Sequence, residues 1–286
     1  MKGYDMCGIF GYINYGKEFC KLDIANIYSN FAKMCVKRGK HACGIAYTLD
    51  GRLAIEKAAG EITHADFVFP HDTKVLMAHC RLSLLDDYLE HGNNHPFEGK
   101  TQDGTRYAFA HNGILSDLKE TRQRLFIPPT KIATDSYAAV QILDTQRKLN
   151  MQALKNTCEQ LSGSYIFTIL DEYNNFFICR GDVPIYLVHF KKLKLYIYMS
   201  TRDLFEKAIE ATELNYVYQT SNLESHASDV NMVMIHKGEI VKITQEGERA
   251  YDTFQFKDEK SISHNWYMHE ITPSKRLDKQ LENLGN

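Results

Sequence analysis

The chain has 286 residues, 44% of them hydrophobic and 24% charged, with a formal net charge of −2. That composition fits a globular protein with enough apolar material for a sizeable core, arranged as one large domain or two small ones. It excludes the basic stripe that a nucleic-acid surface needs, and no apolar run is long enough to cross a bilayer as a helix. Residues 7–13 are short, apolar and glycine-containing, which predicts a buried strand. Residues 22–38 predict a helix, with Ile24, Ile27, Tyr28, Phe31 and Cys35 on one face and Gly39 after a basic last turn. Residues 42–49 and 52–57 predict a hairpin around Asp50-Gly51. Residues 74–81 and 106–111 are further strands.

The middle of the chain is helical, over 135–147 and 151–161. Strands then follow at 164–170, 176–180, 184–189 and 195–200, broken by Tyr173-Asn174-Asn175, Gly181-Asp182 and the lysine-rich turn 191–194. A helix is predicted over 202–211, and strands 231–236 and 239–244 are predicted to pair around Lys237-Gly238. Tight hairpins imply antiparallel sheets, and helices segregated outside such sheets make an α+β layered architecture. The tail ends in an amphipathic helix over 274–284, with Leu277, Leu281 and Leu284 on one face.

The segment Met1-Lys2-Gly3-Tyr4-Asp5-Met6 lacks the apolar core of a secretion signal. Seven cysteines (7, 20, 35, 43, 80, 158 and 179) are odd in number, scattered and free of any C-x-x-C pair. That argues against a disulfide framework and a zinc site, and for a reducing cytoplasm. His91 and His95 have metal-ligand spacing, but the surrounding Gly92, Asn93, Asn94 and Pro96 read as a polar loop, so no metal is expected. No cofactor is expected either.

Four short segments carry chemistry. If the chain began at Cys7, its α-amine, with an ordinary pKa of about 7.7–8.0, would be a base beside its own thiol, and Gly8 would let the backbone pass close to a substrate. Arg81 closes a strand with a guanidinium fork suited to a carboxylate. Asn112 and Gly113 could aim an amide and a backbone N–H at a developing oxyanion. Asp135, at a helix start, could hold an ammonium group. Each segment also has a plain structural account: a small buried cysteine, a surface arginine, an Asn-Gly turn and a helix cap. Taken singly, each favours that plain account.

Their order is what carries meaning. Met6-Cys7-Gly8-Ile9-Phe10-Gly11 resembles the opening of class II glutamine amidotransferases. Arg38-Gly39, Cys43-Gly44-Ile45-Ala46, Asn94-His95-Pro96-Phe97, His111-Asn112-Gly113, Thr134-Asp135-Ser136, Leu161-Ser162-Gly163-Ser164-Tyr165 and Lys237-Gly238-Glu239-Ile240 resemble later family blocks in the same sequence. His79-x-Arg81-Leu82-Ser83 is worded as in asparagine synthetases, and residues 264–271 are similar to the junction that leaves the glutaminase domain of glucosamine-6-phosphate synthase. The resemblance implies a four-layer αββα sandwich of two antiparallel sheets. It implies that Cys7 attacks the glutamine carboxamide, that Asn112 and Gly113 form the oxyanion hole, and that Arg81 and Asp135 bind the substrate's α-carboxylate and α-ammonium. Leu84, through its backbone, and His111 complete the implied substrate-binding set. It further implies that ammonia passes to a separate synthase subunit, with neither nucleic acid nor membrane as a partner.

Three features depart from the family pattern. Six residues precede Cys7, so 1–6 is expected to be a leader or propeptide, 7–250 the glutaminase domain and 251–286 a tail. Residues 82–86 read Leu-Ser-Leu-Leu-Asp where many relatives have a Trp and then Thr-His-Gly. The stretch after Thr244 is too short to build an acceptor domain. Two other readings stand beside glutamine hydrolysis: an amidohydrolase for another γ-glutamyl amide, and a non-catalytic glutamine-binding regulatory module.

Overall fold

The computed structural model describes residues 7–16, 22–83 and 86–257. The expected leader, the junction-like segment 264–271 and the terminal helix at 274–284 lie outside the described residues. β1 (Gly8–Asn14) is followed by α1 (Ile24–Cys35), β2 (Ala42–Leu49), β3 (Arg52–Ala59), β4 (Val75–Arg81), β5 (Phe97–Lys100) and β6 (Arg106–Ser116). Then come α2 (Leu118–Arg124), α3 (Tyr137–Asp144), α4 (Met151–Gln160), β7 (Ser162–Asp171), β8 (Phe176–Arg180), β9 (Tyr186–Phe190) and β10 (Leu195–Met199). The chain continues through α5 (Arg202–Ile209), α6 (Asn215–Gln219), β11 (Val230–Met232), β12 (Glu239–Ile243) and β13 (Arg249–Thr253).

The strands form two wholly antiparallel sheets. One has the order β11-β9-β10-β1-β4-β2-β3, the other β13-β12-β8-β7-β6-β5. Strand alternation sends Ile9, Ile13, Val75 and Met77 of the first sheet, and Ala108, Ala110, Ile166 and Leu170 of the second, into a shared apolar layer. The opposite face of the first sheet packs under α1 and α5 through Phe10, Tyr12, Phe31 and Phe205. The opposite face of the second packs under α3 and α4 through Phe109, Phe167, Leu143 and Leu154. The result is the αββα sandwich that the family resemblance implied, with three apolar layers between four layers of structure.

Local signals account for much of this. Asp23 caps α1 by accepting the Asn26 N–H at 2.9 Å. Asp50 and Gly51, with φ of 50° and 70°, close the β2–β3 hairpin as its sequence predicts. Other expectations need correction. The strand at 106–111 runs on to Ser116, so Asn112-Gly113 lies inside β6 and is not a turn. The segments 231–236 and 239–244 do not pair with each other. β11 joins β9 in the first sheet, whereas β12 joins β8 and β13 in the second. The chain crosses between sheets at Lys237-Gly238, which makes Gly238 (φ 79°) a corner and not a hairpin tip. β13 also runs across the boundary drawn at 250, and Phe254 is buried beyond it. β5, α2, α6 and β13 were not foreseen. No helix among the described residues is long and apolar enough to cross a membrane.

Candidate active site

Gly8 stands opposite Cys80 in the β1–β4 ladder, so Cys7 emerges beside Arg81, the last residue of β4. Cys7 is half-buried and in phase with Ile9 and Ile13, and Arg81 with Met77, so both side chains start from the face between the sheets. The Leu82 N–H donates to the Cys7 sulfur at 3.4 Å, and the thiol faces the Leu82 carbonyl at 3.6 Å. The Arg38 Nε donates to the Cys7 carbonyl at 2.9 Å. A Cβ on Gly8 would lie 2.5 Å from the Cys35 sulfur and 3.3 Å from the Arg38 Cβ. Gly8 therefore clears α1 beneath Cys7, which differs from the expectation that it clears substrate. Burial pushes the Cys7 thiol up; the Leu82 N–H and the Arg81 charge oppose this, and the Asp135 carboxylate adds to it. The net effect favours the thiol form of Cys7 near neutral pH.

Across the gap, β6 contributes Asn112. Alternation with Ala108 and Ala110 turns it toward the space between the sheets. It is wholly buried, and neither its amide nitrogen nor its amide oxygen has a protein partner. Such an orphaned amide costs about 1–3 kcal/mol, so its retention points to a partner supplied from outside the protein. Gly113 follows with φ 136°, and a Cβ there would stand 2.0 Å from the Ser164 carbonyl oxygen. Only glycine fits. A contact of 3.0 Å between His79 Nε2 and the His111 carbonyl ties β4 to β6 and holds the two halves of the site together.

Asp135 accepts the Leu115 N–H at 2.7 Å and the Ser136 N–H at 2.8 Å. Its carboxylate is turned back toward the end of β6, and α3 begins at Tyr137 without a side-chain cap. Arg81 is only 7% exposed. It donates from one terminal nitrogen to Asn94 Oδ1 at 2.7 Å and from the other to Asp87 Oδ2 at 2.6 Å. The His111 imidazole lies on the opposite face of β6 from Asn112, with Nδ1 2.8 Å from Ser136 Oγ. Leu84 lies outside the described residues. The structure therefore brings Cys7, Arg81, Asn112, Gly113 and Asp135 to one end of the sandwich. It leaves the His111 ring under α3.

Some members of this site had no signal as individuals in the sequence. Arg38 was visible only within a family block, Leu82 contributes through its backbone, and Asp87 sits one residue past the 82–86 stretch that departs from the family pattern. His95 parts company with His91: His91 is exposed, whereas His95 is buried with its ring centroid 4.3 Å from that of His79. Among the described residues, no group of three His, Cys, Asp or Glu is arranged to hold a metal ion.

The buried histidines make the fold sensitive to acid. Burial pushes His79 down to about 3 and His95 well below its usual value, and it also lowers His111. The unfolded chain takes up protons near pH 6.5 that the folded chain refuses, so stability is present above that pH and is lost as pH falls below it. The loss is about 1.4 kcal/mol per pH unit for each refused proton. The thermal midpoint should accordingly fall from about pH 6.5 to pH 5, above the carboxylate range. A flat midpoint over that window would contradict this account.

No family model matches the chain. Among curated proteins, it is similar to the 7-cyano-7-deazaguanine synthase of Saccharolobus solfataricus, at 26% identity over 216 residues, covering 70% of this chain and 44% of that protein. It is similar to the glutamine–fructose-6-phosphate aminotransferase of Chlamydia pneumoniae, at 24% identity over 251 residues, covering 81% of this chain and 38% of that protein. The corresponding aminotransferase of Encephalitozoon cuniculi is 31% identical over 134 residues, covering 41% of this chain and 18% of that protein. The chain thus spans less than half the length of these relatives. Among solved structures, the glutamine phosphoribosylpyrophosphate amidotransferase of B. subtilis shares the fold, with a TM-score of 0.64 at 20% identity over 88% of this chain and 50% of that one.

Proposed function

We propose that this chain is a class II, N-terminal-nucleophile glutamine amidotransferase domain and that it hydrolyses glutamine to glutamate and ammonia through a thioester on Cys7. The observation that carries this reading is the wholly buried, unpartnered Asn112 amide, which faces the same gap between the sheets as Cys7. In this mechanism the bond before Cys7 is cleaved and residues 1–6 leave. The freed α-amine takes the thiol proton, directly or through a water, as the sulfur attacks the carboxamide carbon. The oxyanion that forms accepts hydrogen bonds from the Asn112 amide and the Gly113 N–H. The proton passes to the departing nitrogen, ammonia leaves, and water hydrolyses the thioester to regenerate the thiol. Arg81 takes the α-carboxylate of the substrate and Asp135 its α-ammonium. His111 positions Asp135, since its ring meets Ser136 and not the gap.

The ammonia goes to an acceptor on a separate synthase. Relatives that share this region carry unlike names, a 7-cyano-7-deazaguanine synthase in one and a glutamine–fructose-6-phosphate aminotransferase in another, so no single acceptor follows from them. Six free cysteines among the described residues suit the reducing cytoplasm in which we place the protein.

The direct test is an intact mass of the purified protein before and after exposure to a thiol-alkylating glutamine analogue, alongside an ammonia assay with L-glutamine. The expected result is a chain that starts at Cys7, gains one analogue and releases ammonia. A chain with a free Cys7 that neither gains the analogue nor releases ammonia would overturn the proposal.

A further inference from the structure

The arginine assigned to the substrate carboxylate already holds a carboxylate. Both terminal nitrogens of Arg81 donate to protein acceptors, one to Asn94 and one to Asp87 at 2.6 Å. The other oxygen of Asp87 accepts the Ser83 hydroxyl at 2.7 Å. The backbone around Asp87 is tied down as well. Asn93 Nδ2 donates to the Asp87 carbonyl at 3.0 Å, and Asn94 Nδ2 to the Tyr88 carbonyl at 2.7 Å. Asn93 Oδ1 in turn accepts the Ala133 N–H at 2.8 Å, two residues before Asp135. Tyr88 stacks on His41 at 5.4 Å, whose Nδ1 accepts the Ser83 N–H at 3.0 Å. Asp87 is therefore a held group and not a stray surface contact; its side chain is 20% exposed against 9% for Arg81.

We propose that Asp87 occupies the α-carboxylate subsite and is a specificity-determining residue: glutamine binds by exchanging its own carboxylate for that of Asp87 on Arg81. This rests on the reading of Arg81 as the carboxylate-binding residue. An arginine grips a free carboxylate best through two parallel N–H donors. Here one of those donors is taken by a negative charge, and Asp135 adds a second negative charge to a pocket that must admit an anion. Binding of a substrate with an α-carboxylate is weakened, and a carboxamide without one loses nothing by the pairing. Affinity for glutamine is thus set at Asp87, directly after the 82–86 stretch in which this chain departs from the family pattern.

The test compares Asp87→Asn with the parent chain, both with Cys7 exposed, on L-glutamine and on 4-aminobutanamide, which has the amine and the carboxamide but no carboxylate. Asparagine keeps the size of Asp87 and removes its charge. The expected result is a KM for L-glutamine lower by about tenfold, the scale of one charge-assisted hydrogen bond, with no such gain for 4-aminobutanamide. Ser83→Ala, which loosens Asp87 without removing it, should shift KM the same way by less, and serves if Asp87→Asn does not fold. A KM for L-glutamine that is unchanged or raised in these variants would overturn the proposal. If neither the parent nor the variant hydrolyses glutamine, the reaction proposed above has failed on its own. Calorimetric binding of L-glutamine to Cys7→Ala chains with and without Asp87→Asn then decides the role of Asp87, tighter binding supporting it and equal or weaker binding ending it.

Discussion

Cys7→Ala is expected to lower glutamine hydrolysis by on the order of 10⁴–10⁶-fold, the scale of removing a covalent nucleophile whose partners cannot act without it. The fold should survive, because Cys7 is only half-buried and the hydrogen bonds of its sulfur are to the two backbone groups of Leu82. A chain that keeps residues 1–6 should be equally inactive although its Cys7 is intact. The nitrogen of Cys7 is then an amide, which has no basic lone pair. Burial meanwhile holds the thiol up, which disfavours a thiolate that could act unaided. The measurement is ammonia release by three proteins: the processed chain, the processed Cys7→Ala chain and a chain blocked against cleavage. Turnover in Cys7→Ala within about a hundredfold of the parent would sink the covalent mechanism. Full activity in the blocked chain would sink the role of the α-amine.

Asn112→Ala should cost about 10²–10³ in kcat, as the loss of one oxyanion donor does, with little change in KM. Its stability signature should be unusual. Most buried polar residues, when truncated, take their hydrogen bonds with them and destabilise the fold. Asn112 has none to lose: both amide atoms lack a protein partner in a wholly buried site. Removing it relieves a desolvation penalty while leaving a small cavity, and these offset each other to within about 1 kcal/mol. The thermal midpoint should therefore stay close to that of the parent while kcat collapses. A midpoint that falls in step with activity would make Asn112 a structural residue, and a kcat within about threefold of the parent would remove it from the oxyanion hole.

How much of this was legible in the chain depends on the range of the interaction that decides each feature. The β2–β3 hairpin could be read from Asp50-Gly51 because two left-handed residues suffice to set that turn. α1 could be read from its apolar face, and β8 from residues 176–180, because their periodicity is local. The pairing of β11 and β12 could not. Which sheet a short strand joins depends on a register with residues far away in the chain, and β11 found β9 while β12 found β8. Asn112-Gly113 shows the same limit more sharply. As a dipeptide it signals a hairpin, and only its long ladder with β7 keeps it within a strand.

The site divides along the same line. The residue types of the implied chemistry, Cys7, Arg81, Asn112, Gly113 and Asp135, stood out in the sequence through their order. Their convergence did not follow from spacing, since it requires two sheets to face each other at one end and a contact between His79 and the His111 carbonyl to join them. The sequence by itself determined which side chains exist, which short segments prefer strand or helix, and that the apolar residues suffice for a sizeable core. The tertiary structure alone decided that Asn112 is buried without a partner, that the His111 ring turns away from it, and that Asp87 has taken hold of Arg81. These last facts are distances between residues on different strands and loops, and packing sets such distances where no local preference can.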